Sequence, residues 1–195
     1  MSETPFPSLN SNSDKVALVE GTKSHTYSEV NARINLFAAG VLGEEEDLKE
    51  ERIAFFLPAS LDYVTAMHGV WRAGGIAVPL NVASAVSELD HYLTCANVTR
   101  MVAGVHYHDS LRDLCNSLEI ELLSVDDVLA TTAKKLPVIA PERRAMMLFT
   151  SGTTNKPKGV VSTHKTISAQ ITTLIKAWEW SDQDVIPLFL PLHHI

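Results

Sequence analysis

Apolar and polar positions along the chain fall into two alternating rhythms. Segments 16–20 and 24–27 flank Gly21-Thr22-Lys23, the pattern of a hairpin closed by a short turn. Val30, Ile34, Phe37 and Val41 then recur at spacings of three and four, which puts them on one helix face. Ser28 is expected to cap that helix and Gly43 to stop it. Segments 53–57 and 76–80 are continuous apolar runs, as in strands covered on both faces. Between them Ser60 predicts the cap of a helix with Leu61, Val64, Met67 or His68, and Trp71 inward, ended by Gly74-Gly75.

Further on, Leu89, Leu93 and Ala96 mark a helix, 100–103 a strand, 111–118 a helix and Leu122-Leu123 a strand. Segments 145–149 and 159–162 read as two more strands. Helix 165–178 carries Ile167, Ile171, Leu174 and Trp178 on one face and is expected to pack behind the turn joining those strands. Trp178 and Trp180 read as core residues. The alternation predicts an α/β fold, a mainly parallel sheet flanked by helices, because parallel neighbours need crossovers that helices supply. Two polar stretches interrupt it. The acidic run 44–51 reads as a self-repelling, solvated connector, and 131–141 as a surface connection inside one fold rather than a domain boundary.

Composition narrows the classes of function. Of 195 residues 46% are hydrophobic and 20% charged, the balance of a folded globular chain. A net charge of -7, without clustered Lys or Arg, offers no stripe for a nucleic-acid backbone. Cys95 and Cys115 lack close Cys or His partners and read as reduced, buried thiols. His68 reads as a structural histidine, and the His106-x-His108 pair lacks a third ligand, so no metal site is expected. No apolar run approaches the roughly 20 residues of a membrane span. The first 14 residues carry no basic residue and no apolar core, and the first arginine is Arg33. A secretory or cleaved mitochondrial leader is therefore not expected, and the Asn97-Val98-Thr99 sequon is taken as chance.

The chemistry sits at the end of strand 145–149. Phe149 runs into Thr150-Ser151-Gly152-Thr153-Thr154-Asn155-Lys156-Pro157-Lys158-Gly159. Strand ends are where open α/β sheets place ligands. Hydroxyls around a glycine make an anion cradle: the glycine lets the backbone approach, while N–H and O–H groups point at phosphate oxygens. Lys158 adds positive charge where negative charge builds on a departing pyrophosphate. A Walker loop is excluded, since counting from Gly152 places Pro157 where the second glycine must stand, and no G-x-G-x-x-G occurs.

This ten-residue segment resembles the signature of the AMP-binding superfamily of acyl-CoA synthetases, luciferases and nonribosomal adenylation domains. Thr26-Tyr27-Ser28-Glu29-Val30 and 73–80 look like the superfamily's N-terminal half. Downstream, 177–180, Asp184-Val185 and Leu190-Pro191-Leu192-His193-His194 resemble the malonyl-CoA synthetase branch. The resemblance implies that Thr150, Ser151, Gly152, Thr153, Thr154 and Lys158 bind the β- and γ-phosphates of ATP, with Lys158 and Thr154 catalytic. It places His194 in the acyl pocket; His193 reads as either pocket wall or structural filler. Asn155 departs from the family's usual glycine or glutamate, and asparagine tolerates positive φ better than other non-glycine residues.

By that resemblance the chain is the N-terminal portion of an adenylation domain, the rest of the large domain and the C-terminal domain being absent. The implied substrates are ATP with Mg²⁺, a small carboxylate and CoA, in a cytoplasmic, mitochondrial or peroxisomal setting, with cytoplasm expected. The fragment alone is expected to turn over little or nothing. A nucleotide-binding pseudoenzyme or regulatory fragment is the alternative, and an aggregation-prone remnant with uncovered apolar faces a third.

Overall fold

The protein is described by a computed structural model covering residues 13–150 and 157–193. Strands β1 (Val16–Glu20) and β2 (Lys23–Thr26) form the expected antiparallel hairpin, turned by Gly21 at φ 60°. Helix α1 (Tyr27–Leu42) follows at once, so its cap is Thr26 rather than Ser28. Thr26 Oγ1 accepts from the Glu29 N–H at 3.2 Å while the Glu29 carboxylate accepts from the Thr26 N–H at 2.8 Å, a reciprocal capping box. Val30, Ile34, Phe37 and Val41 are all buried, and the chain leaves the helix through Gly43 at φ 51°.

A six-stranded sheet organises the rest. It contains β3 (Arg52–Phe56), β4 (Ile76–Pro79), β5 (Arg100–Ala103), β6 (Glu121–Ser124), β7 (Arg144–Thr150) and β8 (Lys158–Thr163), in the order β6-β5-β3-β4-β7-β8. All neighbours pair parallel except β7 and β8, which form an antiparallel hairpin. Helices α2 (Leu61–Arg72), α3 (Val86–Ala96), α4 (His108–Ser117) and α5 (Val125–Leu129) supply the crossovers, and α6 (His164–Ala177) follows β8.

Strand alternation divides the core into two layers. Ile53, Phe55 and Leu57 face α1, α2 and α5; Ala54 and Phe56 face α3 and α4, joined there by Ile76, Val78 and Met101. Helix α2 buries Tyr63, Ala66, Val70 and Trp71; of the expected stripe Trp71 is buried and Met67 packs against the core, whereas Leu61 and Val64 are only half-buried. It lies between α1 and the sheet, so close approach decides its orientation. A Cβ at Gly69 would overlap the Phe37 ring of α1.

The acidic run is solvated only over 44–46; its second half is tied to the fold. Asp47 takes both terminal nitrogens of Arg143, at 2.7 and 2.9 Å, Glu50 binds Arg144, and Glu51 binds Arg100. Opposite charges arriving from β5, from β7 and from the residue before β7 cancel the self-repulsion that the run shows when read alone. Leu48 is buried beneath it. Cys115 is buried as expected, with its thiol pushed up by burial, but Cys95 is exposed because α3 turns Leu89, Leu93 and Ala96 inward. Trp178 is also solvent-facing, 60% exposed and edge-on to Trp180 at 4.9 Å, not core. Only Ile167 of the expected α6 stripe packs against the core. No helix of the described residues is long and apolar enough to cross a membrane.

Candidate functional site

The C-terminal ends of β3, β4, β5 and β7 share one edge of the sheet, and Thr150 closes β7 there. Across the hairpin Thr150 pairs with Lys158 and Phe149 with Gly159. Directly opposed residues of an antiparallel pair project to the same face. Met146 packs into the α1/α2 layer, whereas Met147 and Phe149 pack into the α3/α4 layer. Alternation therefore directs Thr150, and Lys158 with it, to the α1/α2 face. Gly159 sits on the other face, where a Cβ would come within 2.9 Å of Met147 Sδ and 3.5 Å of Phe149 Cε1. The absence of a side chain at 159 thus lets Phe149 and Met147 lie across the hairpin.

Of the predicted phosphate ligands, Thr150 and Lys158 lie on these stems. Lys158 is exposed, and no ion pair among the described residues uses it. Ser151, Gly152, Thr153 and Thr154, together with Asn155 and His194, lie outside the described residues. His193 is partly buried, and its neighbour Leu192 packs against the α1/α2 layer. The Leu192 carbonyl accepts from the Tyr63 hydroxyl at 2.7 Å. Tyr63 stands in the first turn of α2, just beyond the end of β3, and meets Phe55 edge to face at 5.0 Å. Burial pushes its hydroxyl far up, so it stays a neutral donor. Through Tyr63, segment 192–193 reaches the same end and face of the sheet as Thr150 and Lys158.

Sequence reasoning missed Tyr63, His91 and Tyr92. On the α3/α4 face the His91 ring Nε2 lies 2.9 Å from the Pro157 carbonyl, and the Tyr92 ring lies 4.5 Å from that of Phe149, tilted by 33°. Tyr92 falls three residues after Leu89, so the helical periodicity contained it. Nothing local distinguished His91. The sheet's opposite, N-terminal edge carries a cleft of about 390 Å³ lined by Gly40, Gly43, Glu45, Arg100, Glu121 and Asp127. Arg100 is already held there by Glu51 and Glu45, so the cleft offers a ligand no free cation.

His106 lies against Tyr107, with ring centroids 3.9 Å apart. Among the described residues no group of three or more His, Cys, Asp or Glu side chains gathers as a metal set. His68 lies edge-on to Trp71 at 4.8 Å, and Trp71 donates from Nε1 to the Ala145 carbonyl at 2.6 Å.

Fold and hairpin together are those of a chain of the adenylate-forming class, an α/β sheet with the stems Thr150 and Lys158 paired at its C-terminal edge. The AMP-binding enzyme family matches residues 7–195, and the chain belongs to that family. It is 33% identical to mitochondrial malonate–CoA ligase ACSF3 of Mus musculus over 93% of its own length, and 34% identical to the Homo sapiens counterpart over 93%. It covers 33% and 34% of those proteins, so it spans about a third of the length of the curated relatives it matches. Among solved structures, ATP-bound MatB from Rhodopseudomonas palustris superposes with a TM-score of 0.86 at 23% identity, covering 100% of this chain and 41% of that one. That likeness shows the fold.

Proposed function

We propose that this chain supplies the polyphosphate-gripping part of an acyl-CoA synthetase acting on malonate or another short carboxylic acid. The observation that carries the proposal is the cross-strand pair Thr150 and Lys158, one a hydroxyl and the other an exposed cation, on one face of the sheet's C-terminal edge. Kinship with malonate–CoA ligases supports the choice of acid.

In the proposed reaction a carboxylate oxygen attacks the α-phosphorus of ATP. The bond to the β-phosphate oxygen breaks, giving acyl adenylate and pyrophosphate. The thiol of CoA, losing its proton, then attacks the acyl carbon and AMP leaves with the bonding electrons, giving the thioester. Such transfers ask little covalent chemistry of the protein and depend on positioning and charge neutralisation. Thr150 and the hydroxyls of Ser151, Thr153 and Thr154 orient the β- and γ-phosphates, with Gly152 admitting them to the backbone. Lys158 and Thr154 stabilise the charge that grows as pyrophosphate departs. Mg²⁺ arrives with ATP as part of the substrate. His194 and His193 form the acyl side of the site, and the Tyr63–Leu192 hydrogen bond holds the latter's segment in place.

Residues 1–195 stand in this reading as the N-terminal portion of an adenylation domain, which binds nucleotide without completing the cycle alone. Its compartment is the cytoplasm, with the mitochondrion as the alternative favoured by the animal relatives. Calorimetric titration with Mg·ATP, run beside malonate-dependent ATP–pyrophosphate exchange, tests the function. Binding that Lys158→Ala abolishes, with no exchange, is expected. Exchange by these residues alone would overturn the division of labour, and absence of binding by a folded chain would overturn the site.

A further inference from the structure

The face of the hairpin opposite Thr150 and Lys158 is occupied by α3. Two of its contacts fall on the residues that immediately precede Thr150 and Lys158 in the chain. His91 Nε2 reaches the Pro157 carbonyl at 2.9 Å, and Pro157 precedes Lys158. The Tyr92 ring lies on Phe149 at 4.5 Å, and Phe149 precedes Thr150. We propose that α3 is the positioning element of the phosphate-binding hairpin: His91 and Tyr92 fix the two stems from behind and thereby set where Thr150 and Lys158 present their polar groups.

Peptide planarity explains how His91 acts at a distance. The Pro157 carbonyl and the Lys158 N–H belong to one rigid unit, so anchoring that oxygen orients the start of Lys158. Proline's ring already fixes φ at 157, and its nitrogen has no hydrogen to donate. The carbonyl is therefore the one backbone hydrogen-bonding group by which residue 157 can be held. A carbonyl accepts only, so His91 donates from Nε2, as either the Nε2–H tautomer or the imidazolium.

Tyr92 works through packing. Its ring covers Phe149, which in turn lies across the bare backbone of Gly159, so one aromatic stack clamps both strands of the hairpin. His91 and Tyr92 are neighbours, with ring centroids 6.0 Å apart, so a single helix turn secures both stems. Neither touches the face assigned to nucleotide. They are positioning residues, and the consequence for ATP rests on the function proposed above.

The test uses the full 195-residue chain and two readouts. Amide hydrogen exchange is followed across 148–150 and 158–160 in wild type, His91→Leu, His91→Gln, Tyr92→Ala and Tyr92→Phe, and Mg·ATP affinity is titrated in the same set. Faster exchange confined to these stems is expected in His91→Leu and Tyr92→Ala, with core strand β3 unchanged. Affinity should fall about tenfold in those two, the worth of one hydrogen bond for His91 and of one aromatic contact for Tyr92, and stay within about twofold of wild type in His91→Gln and Tyr92→Phe, which keep the donor and the ring. Should His91→Leu fail to fold, His91→Glu, with an acceptor facing the carbonyl, replaces it against His91→Gln. Unaltered stem exchange in the disruptive variants would overturn the bracing. Faster stem exchange with unchanged ATP affinity would overturn the positioning role. Wild type that binds no Mg·ATP while His91→Leu loosens the stems would defeat the proposed function and its positioning corollary but leave the bracing intact.

Discussion

Two regions of one sheet are built to different standards. In β6-β5-β3-β4 every strand joins its neighbour in parallel, and each crossover lays a helix on one face or the other, so Ile53, Ala54 and Phe55 are all 0% exposed. At the other edge β7 and β8 are joined directly. A hairpin needs no crossover and brings no helix with it, and Val160 and Val161 on β8 are 43% and 40% exposed. The stretch beyond α6 is barer still, with Phe189 81% exposed. The first region is scaffold. The second has spare surface, and it carries the stems of the proposed phosphate loop. Stability and proposed function therefore occupy different strands.

Truncation of the two regions is the sharpest way to break that contrast. Phe55→Ala removes a fully buried ring that also meets Tyr63, and should destabilise the chain by about 3–5 kcal/mol in urea melts. Val161→Ala, at an exposed position of β8, should cost less than about 0.5 kcal/mol. Equal losses would erase the distinction.

Acid comes next. Burial, aided by nearby Arg72, pushes His68 down to about 3; burial, aided by Arg143 against an opposing pull from Glu50, pushes His164 to about 4. Both fold as neutral rings, whereas the unfolded chain takes up their protons near the ordinary value of about 6.5. Their contribution is thus complete above that value and is lost as pH falls toward 4, at up to about 1.4 kcal/mol per pH unit for each. Hydrogen bonds from Arg143 and Arg144 hold Asp47 and Glu50 below the usual carboxylate range, so a second loss begins as these protonate. Melting temperature should decline from pH 7 to pH 5 and fall more steeply below it. A flat profile between pH 7 and 5 would show that the rings do not fold neutral.

The smallest effect compares one cap in two settings. Thr26 on α1 and Thr163 on α6 accept from the backbone three residues on, at 3.2 Å in both cases. Thr26→Ala should cost about 1 kcal/mol of global stability, because α1 is packed along its length. Thr163→Ala should fray α6, seen by hydrogen exchange, with little change in the global transition.

Most of the fold was legible because parallel strands read as apolar runs and their helices as stripes. The bounds of β5, those of β3 to within one residue and the inward stripe of α3 needed only local pattern. What stayed hidden depended on partners remote in sequence. The acidic loop looked repulsive until Arg100, Arg143 and Arg144 arrived from other elements. The buried face of α2 followed from a glycine contact with Phe37, and the exposure of Trp178 from the want of a covering layer over α6. Thr150 and Lys158 were readable as chemistry from their motif, but their shared face came from the hairpin register. Tyr63, His91 and Tyr92 became visible only once β3, α3 and the stems were side by side.

The most direct measurement of the central claim is phosphorus NMR of Mg·ATP titrated with the 195-residue chain. The β and γ resonances should shift and broaden more than the α resonance, and Lys158→Ala, with an unchanged melting curve, should remove the difference. Resonances that do not respond to the folded protein, or that respond identically with Lys158→Ala, would contradict a polyphosphate grip at this hairpin.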